Sequence, residues 1–305
     1  MIEILTGFAV VGLAVAVGYV IARTNLLGDG ARIVLSRLTF FVLSPFLLFS
    51  ILAQADLRTL FSALLPVSAL AALSMFAVFT VIAVLFLRRG LGETVVGATA
   101  GGYVNANNIG IPLSLYILGD AAYSAPVVLV QLLVFMPIAL ALLDAATSGA
   151  RSVRRILRQT FRNPMLWGAG AGVLVAVAGV DLPPLVLDPV QLIAGAGVPV
   201  LLISYGMSLH GQRVLSTVGR RADVLVASTL KLLVMPLAAW LWALAFSLPP
   251  EQVRIVVVLA ALPTAQNVFL FAQRYGVGEI TARDTIFVTT VGCVPVLFLA
   301  ATLLA

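Results

Sequence analysis

Apolar runs about as long as a bilayer is thick recur along the whole chain, and that recurrence excludes almost every water-soluble fold. Charge, glycine or proline breaks the runs into helices expected at roughly 4–22, 33–53, 60–87, 93–118, 122–144, 164–180, 189–211, 223–247, 251–274 and 280–304. Ten spans of about 20 residues need roughly 200 positions, which fits within 305 residues and leaves the rest for connectors. Composition agrees: 62% of residues are hydrophobic and 10% charged, against about 45–50% and about 25% in soluble domains. The start, Met1-Ile2-Glu3, has no basic segment ahead of the first run, so that run is expected to be kept as a helix rather than cleaved. The fold class expected is all-α integral membrane, with ten transmembrane helices.

The arginines orient the chain. Fifteen, from Arg23 to Arg283, fall in odd-numbered connections, and only Arg58 and Arg254 fall in even ones. Basic connectors stay on the cytoplasmic side, so both termini are expected on the non-cytoplasmic face of the cell membrane. The longest connector, 145–163, reads RSVRRILRQTFR over most of its length. It is either an amphipathic segment on the inner membrane surface or a short basic loop that enforces topology. At two helix starts, Asn163-Pro164 and Asp188-Pro189, a capping side chain precedes a proline whose missing N–H is harmless in the first turn.

Whole classes of chemistry are absent from the inventory. With one histidine, His210, and one cysteine, Cys293, the chain alone builds neither a multi-histidine metal site nor an intrachain disulfide. No G-x-S-x-G or Walker A sequence occurs. An enzyme, a metal cofactor and a nucleic-acid partner are not expected.

The chain also matches itself. A shift of 159 positions lays Asn108 on Asn267, Tyr116 on Tyr275, Gly119 on Gly278 and Asp120 on Glu279. A shift of 154 lays Pro45 on Pro199. Residues 1–144 and 164–305 therefore read as two five-helix repeats, and because five is odd the second is inverted relative to the first. Inverted repeats mark secondary transporters.

Within this frame, polar residues concentrate in two places. Helix 4 carries GGYVNANNIGIPL, with Asn105, Asn107, Asn108 and Pro112; helix 9 carries ALPTAQNVFLF, with Pro263, Thr264, Gln266 and Asn267. Proline removes an N–H and clashes with the carbonyl four residues earlier, so helix 4 is expected to kink or break near Asn108 and Pro112, and helix 9 at Pro263. Broken helices in corresponding positions of two repeats point to a transporter binding site. Each break exposes a half-helix N-terminus, whose N–H groups favour an anion. The asparagines alternatively make interhelical hydrogen bonds. Lys231, the only lysine, lies within helix 8, where a cation costs about 2.5–3.5 kcal/mol to insert. It is read as a coupling or support residue, or else as a snorkelling or structural one. His210 is read as an interfacial histidine, Tyr19, Tyr103, Tyr116, Tyr123 and Tyr205 as cavity candidates, and Trp167, Trp240 and Trp242 as interfacial anchors. Gly168, Gly170, Gly172, Gly195 and Gly197 suggest close helix packing.

The motifs NANNIGIP, RNPMLWGAGAG, YGMSLHG, KLLVMP and LPTAQN with AQRYG, in this order along the chain, resemble those of the auxin efflux carrier family, including its bacterial malonate-transporter-like and PIN-like members. The resemblance implies a fold similar to bile-acid sodium symporters, with helices 1, 2, 6 and 7 as a scaffold and helices 3–5 and 8–10 as a transport domain. It implies that Pro112 and Pro263 mark a crossing of helices 4 and 9, that Asn108 and Asn267 lie beside the substrate, that Lys231 supports the crossing, and that the protein is a homodimer. Plant members carry an aspartate in helix 3, and none occurs here between Leu60 and Leu87, a departure that weakens any proton mechanism carried over from them. The expectation is a secondary transporter of a small organic anion, a mono- or dicarboxylate such as malonate or malate or an auxin-like acid, working by elevator-type alternating access. Coupling to Na⁺ or H⁺ stays open. The alternative is a membrane receptor or sensor that binds a metabolite on the same fold without moving it.

Overall fold

In the computed structural model, residues 2–28, 30–54, 63–148, 161–180, 182–211, 215 and 217–303 are described. Among them every regular element is helical, and the one extended pairing is an isolated antiparallel bridge between Val104 and Thr264. Among the described residues six helical stretches are long and apolar enough to cross a membrane: Ile33–Ala53, Leu64–Leu85, Ala121–Thr147, Pro184–Ser204, Arg221–Ala245 and Glu279–Ala300. Large apolar side chains face outward, with Phe86 75% and Leu192 79% exposed. Such surfaces belong in lipid rather than water. The basic connector expected at 145–163 falls largely, over 149–160, outside the described residues.

The α-helical elements are α1 (Ile2–Thr24), α2 (Ala31–Leu38), α3 (Ser44–Ala53), α4 (Leu64–Leu85), α5 (Leu91–Gly102), α6 (Ile111–Leu113), α7 (Ala125–Val130), α8 (Met136–Ser148), α9 (Pro164–Ala178), α10 (Pro184–Gly195), α11 (Gly197–Leu209), α12 (Arg221–Thr229), α13 (Met235–Ala245), α14 (Pro250–Ala260), α15 (Asn267–Tyr275) and α16 (Glu279–Leu303). Wide π turns join several of them. Thr39–Leu43, Ala106–Gly110, Gln131–Phe135 and Leu230–Val234 each end two residues before a proline, namely Pro45, Pro112, Pro137 and Pro236. In three of these turns the residue just before the proline donates five back: Ser44 to the Thr39 carbonyl, Met136 to Gln131 and Met235 to Leu230. A π turn pairs residues five apart instead of four. Widening the turn relieves the clash between the proline ring and the carbonyl four residues earlier, and the helix continues.

This corrects the expectation at Pro112. The chain stays helical through Ile111–Leu113 and a further π turn at Ser114–Leu118, closed by Gly119 at φ 89°. The interruption comes earlier, at Tyr103–Asn105, where no proline stands. Helix 9 breaks where expected, between Ala260 and Asn267 and around Pro263. A second correction concerns Asp188-Pro189. The helix there starts at Pro184, after Pro183 in extended backbone, and Pro189 lies inside it, because Pro184 already supplies the favourable first-turn proline. At Asn163-Pro164 the expected cap is present: the Asn163 side-chain oxygen accepts from the Met165 N–H at 3.0 Å.

The chain divides into two compact units. Unit 1 comprises Met1–Ser62, Asn107–Leu129 and Gln159–Gln212, and unit 2 comprises Ala63–Ala106, Val130–Arg158 and Arg213–Ala305. Unit 1 is held by helix pairs whose backbones touch. A methyl group on Gly206 would sit 1.9 Å from the Val15 carbonyl oxygen, and one on Gly18 2.1 Å from that of Ile203, so α1 and α11 meet through glycine from both sides. In the pairing of α3 with α9, Gly168 and Gly172 stand against the carbonyls of Pro45 and Phe49, at 2.3 and 2.8 Å from where a methyl would be. Small residues let helices approach this closely where burying apolar surface gives no advantage over lipid. Gly170 and Gly195 have nothing within 4 Å and are not packing residues. His210 follows α11, its ring edge-on to Tyr19 at 5.5 Å.

Unit 2 packs α4 against α5, with the Phe79 ring filling the space over Gly97 and Phe76 filling that over Gly102. Phe76 also meets Phe135 edge-on at 5.1 Å, and the Trp242 indole N–H donates to Ser74 at 3.1 Å. At the arginine-rich ends, Arg89 grips both oxygens of the buried Asp223 at 2.9 and 2.7 Å and donates to the Gly219 carbonyl at 2.8 Å. Arg220 pairs with Glu93, and Asp284 accepts from the Leu215 N–H at 2.9 Å and from Arg283. The hydrogen bond that Arg89 donates to Asp223 holds its guanidinium above its ordinary range, so the pair stays ionised on the arginine side at any pH a cell meets.

Candidate functional site at two interrupted helices

An interrupted helix frees backbone groups on both sides of the gap, and in a bilayer each needs a protein or ligand partner. In unit 2 the two gaps serve one another. The Asn105 N–H donates to the Pro263 carbonyl at 2.8 Å, and the Ala265 N–H donates to the Tyr103 carbonyl at 2.9 Å, so the two breaks pair like a two-rung fragment of antiparallel sheet. The Thr264 hydroxyl donates to the Ala100 carbonyl at 2.6 Å, and its N–H donates to the Thr289 hydroxyl of α16 at 3.1 Å. The Val104 carbonyl accepts from Ala106 N–H at 2.8 Å and from the Gln131 side chain at 2.9 Å. Gln131 in turn offers its own carbonyl to the Tyr103 hydroxyl at 3.2 Å.

Lys231 completes this set. It is fully buried, and its Nζ donates to the carbonyl of Ala260, the last residue of α14, at 2.6 Å, and to the Met235 sulfur at 3.2 Å. An amine at a helix C-terminus meets both the unsatisfied carbonyls and the negative end of the dipole. Lys231 therefore does not snorkel; it caps the half-helix that leads into the break. The carbonyls of Ala100, Tyr103, Val104, Ala260 and Pro263 are all engaged from within unit 2.

Of the residues singled out by sequence, unit 2 gathers Asn105, Pro263, Thr264, Gln266, Asn267 and Lys231. Asn105 is buried, Gln266 and Asn267 are half-buried, and Asn267 is the first residue of α15. Asn107, Asn108 and Pro112 follow on the next helical segment and belong to unit 1. There the Asn107 side-chain nitrogen donates to the Asn108 side-chain oxygen at 2.8 Å and to the Ser44 hydroxyl at 3.3 Å. Asn107 thus makes the interhelical bond that was the alternative reading of the asparagines. Tyr103 is buried and bonded rather than lining a cavity, while Tyr19 and Tyr116 face outward.

Sequence reasoning missed Gln131, Thr289 and Ser44. Gln131 left a signal as the one amide in the apolar run from Ala125 to Met136. Thr289 left none, since threonine is ordinary in a helix that bonds it back to its own carbonyls, as Thr290 does to Ile286.

Known proteins place these features in context. The family described as Membrane transport protein matches residues 4–155 and 143–300. The chain belongs to this family. Among its relatives is a Rhizobium meliloti protein named "Putative malonate transporter", 32% identical over 216 residues, which cover 68% of this chain and 66% of the relative. An "Uncharacterized transporter" of Methanothermobacter thermautotrophicus is 26% identical over 280 residues, 91% of this chain and 90% of its own. The resemblance to auxin efflux carriers holds as well: the rice protein "Probable auxin efflux carrier component 5b" is 29% identical over 150 residues, 48% of this chain and 40% of that one. This is a membrane protein of a transporter family, and its relatives are named as transporters rather than enzymes.

Proposed function

We propose that this family member is a secondary carrier of small organic anions, with mono- and dicarboxylates such as malonate and malate first among the candidates. The observation that carries the reading is the accounting at the breaks. Five freed carbonyls are taken up by protein donors, Lys231 among them. To the ligand we assign the opposite pole, the starts of the half-helices at Ala106 and Asn267. Those ends carry partial positive charge, and asparagine amides stand on both. A carboxylate is the ligand such ends favour.

The mechanism we propose is alternating access of elevator type, with helices 1, 2, 6 and 7 as scaffold and helices 3–5 and 8–10 as the moving transport domain. The repeat in the sequence supports it, and so does the pairing within unit 1: helix 1 with helix 7, and helix 2 with helix 6, are the same pairing under exchange of the two halves. Both termini would then lie on the non-cytoplasmic side, and a homodimer through the scaffold is the assembly the family resemblance suggests.

The test is current across a solid-supported membrane from purified protein in liposomes, challenged with malonate, malate, acetate and indole-3-acetate, with and without Na⁺ and across a pH step. Radiolabelled counterflow covers electroneutral exchange. Saturable flux absent from empty liposomes and reduced at least tenfold in Asn108→Ala and Asn267→Ala protein supports the site. Unchanged flux in both variants overturns the assignment, and binding without flux in either assay makes the protein a receptor.

A further inference from the structure

Serine and threonine in an apolar helix ordinarily return their hydroxyl to a carbonyl three or four residues back. Ser74 does so to Leu70, Thr99 to Val95, Thr147 to Leu143 and Thr302 to Phe298. Three in unit 2 that are more than nine-tenths buried do not: Thr94 of α5 and Ser228 of α12, each 4% exposed, and Thr285 of α16, 0% exposed. Their hydroxyls have no hydrogen-bond partner among the described residues. A buried hydroxyl left unpaired is costly, and water is its usual partner where protein supplies none.

The helices that carry them place the three in a rising series. Helix α12 packs against both α5 and α16. Arg220, just before α12, pairs with Glu93 of α5, and eight residues further along α5 a methyl on Gly101 would lie 3.7 Å from the Ala227 Cα and 3.6 Å from the Leu230 Cβ. Thr94 is two turns before Gly101 on the same face, which sets it level with Arg220 to Asp223. Similarly, the Leu215 N–H donates to Asp284 near the start of α16, and a methyl on Gly292 would meet the Leu232 Cδ1 at 2.6 Å. Thr285 is two turns before Gly292 and so level with Leu225, while Ser228 is one turn before Leu232 on the same face. Lys231 follows Ser228 by three residues, a spacing that makes neighbours on a helix surface. At a rise of 1.5 Å per residue, Thr94, Thr285, Ser228 and Lys231 are separated in height by steps of about 4–5 Å. One water joins two polar groups about 5–6 Å apart, at two hydrogen bonds of about 2.8 Å.

Charge is arranged along the same line. The charged residues of α5, α12 and α16 are Glu93, Arg221, Asp223, Glu279, Arg283 and Asp284, all within the first six positions of their helices, and α4 and α13 carry none. On α14, Glu251 and Arg254 lie in the first half, away from the Ala260 end that Lys231 caps. Beside Lys231 the titratable group is Cys293 of α16, close enough to interact with it electrostatically. A protonated amine has three N–H donors, and two recorded bonds engage the Lys231 Nζ, to Ala260 and Met235.

We infer that Thr94, Thr285 and Ser228 hold a file of water molecules between the charged end of unit 2 and Lys231, through which the buried amine exchanges protons with bulk water. A proton released by the Lys231 ammonium passes to the water at Ser228 and leaves along the file toward Thr94, and a proton returns by the same route. The charge on Lys231 then follows the pH on one side of the membrane. This asks nothing of the carried anion, so it stands or falls apart from the carrier proposal.

The test uses the fact that Lys231 is the only lysine: ¹⁵N-lysine labelling of the full chain in liposomes gives one side-chain amine signal. Solid-state NMR then measures how fast magnetisation passes from water protons to that amine. The parent is expected to show this transfer, and Ser228→Ala with Thr285→Val is expected to slow it about threefold or more as the bridging waters lose their anchors. Thr99→Val, which removes a hydroxyl bonded to its own helix, is expected to leave it unchanged. A second measurement replaces Ser228 or Thr285 singly by cysteine in a Cys293→Ala background. Silver ion, which reaches thiols through water, is expected to protect both cysteines from alkylation after unfolding and to leave a cysteine at Ala71, buried on α4, unprotected. No transfer from water to Lys231 in the parent, or equal transfer in the double variant, overturns the file. If the double variant fails to fold, the silver result decides, and protection at neither Ser228→Cys nor Thr285→Cys overturns it. Neither readout involves transport, so failure here leaves the carrier proposal as it stood.

Discussion

Lys231→Met separates a functional lysine from a structural one, because the stability terms nearly cancel. The variant loses the 2.6 Å bond from Nζ to the Ala260 carbonyl, and a hydrogen bond involving a charged group is worth about 1.5–3 kcal/mol. It also loses the cost of keeping a cation at the centre of a helix, about 2.5–3.5 kcal/mol on insertion scales. Methionine nearly matches lysine in length and fills the fully buried site. The sum lies between about 2 kcal/mol of stabilisation and about 0.5 kcal/mol of loss. At roughly 2–4 °C per kcal/mol for a large domain, the melting temperature is expected to shift by a few degrees in either direction. Transport is expected to fall at least tenfold, because the Ala260 carbonyl, left without its donor, again presents a negative pole beside the break. The assay pairs thermal melting in detergent with malonate uptake in liposomes from the same preparation. Normal uptake in a well-folded Lys231→Met protein refutes the reasoning about function. A melting temperature more than about 10 °C lower refutes the energetic balance.

Gly206→Ala forces a methyl to within 1.9 Å of the Val15 carbonyl. Backbone cannot yield as a side chain does, so a loss of about 3 kcal/mol or more is expected, seen as a lower melting temperature. Gly170→Ala, with nothing within 4 Å, is expected to be neutral or to gain up to about 1 kcal/mol from helix propensity in the same melt. Gln131→Leu removes the donor to the Val104 carbonyl and is expected to cost about 1–2 kcal/mol and to slow malonate uptake several-fold. Asn163→Ala removes the cap on the Met165 N–H; it is expected to cost about 1 kcal/mol of stability and to leave uptake unchanged.

The all-helical class, the apolar spans and the cap at Asn163 were legible because hydropathy and capping chemistry are properties of local sequence. The break in helix 9 was legible too, since Pro263 stands in it. The break at Tyr103–Asn105 was not, because nothing local compels it. Tyr103 and Asn105 leave the helix because Ala265 and Pro263 offer them hydrogen bonds from about 160 positions away. Pro112 misled for the complementary reason: its clash is real, and the turn before it widens to absorb it. The asparagines stood out as a group, but the division that puts Asn105 in one unit and Asn107 and Asn108 in the other depends on tertiary packing that spacing does not encode. Lys231 was visible as an anomaly of charge, and its partner, a main-chain carbonyl, has no sequence signature at all.

The prolines and the polar residues nevertheless belong to one device. Ser44 stands one residue before Pro45, Asn107 and Asn108 five and four before Pro112, Gln131 six before Pro137 and Lys231 five before Pro236. Each lies in, or directly after, the π turn that its proline induces. A π turn carries one residue more than an α turn, so it shifts the phase of the helix by about 100°, one residue's rotation at 3.6 residues per turn. A span can then keep an apolar face toward lipid above and below the turn while one short polar stretch is rotated away from that face. In a chain that is 10% charged, this lets each unit withdraw its polar side chains from lipid, Ser44, Asn107 and Asn108 in unit 1 and Gln131 and Lys231 in unit 2, without long polar stripes that lipid would reject. Wide turns concentrate at functional sites in α-helices generally. Here the physical reason is that the same proline both requires the wider turn and supplies the rotation that the polar side chain needs.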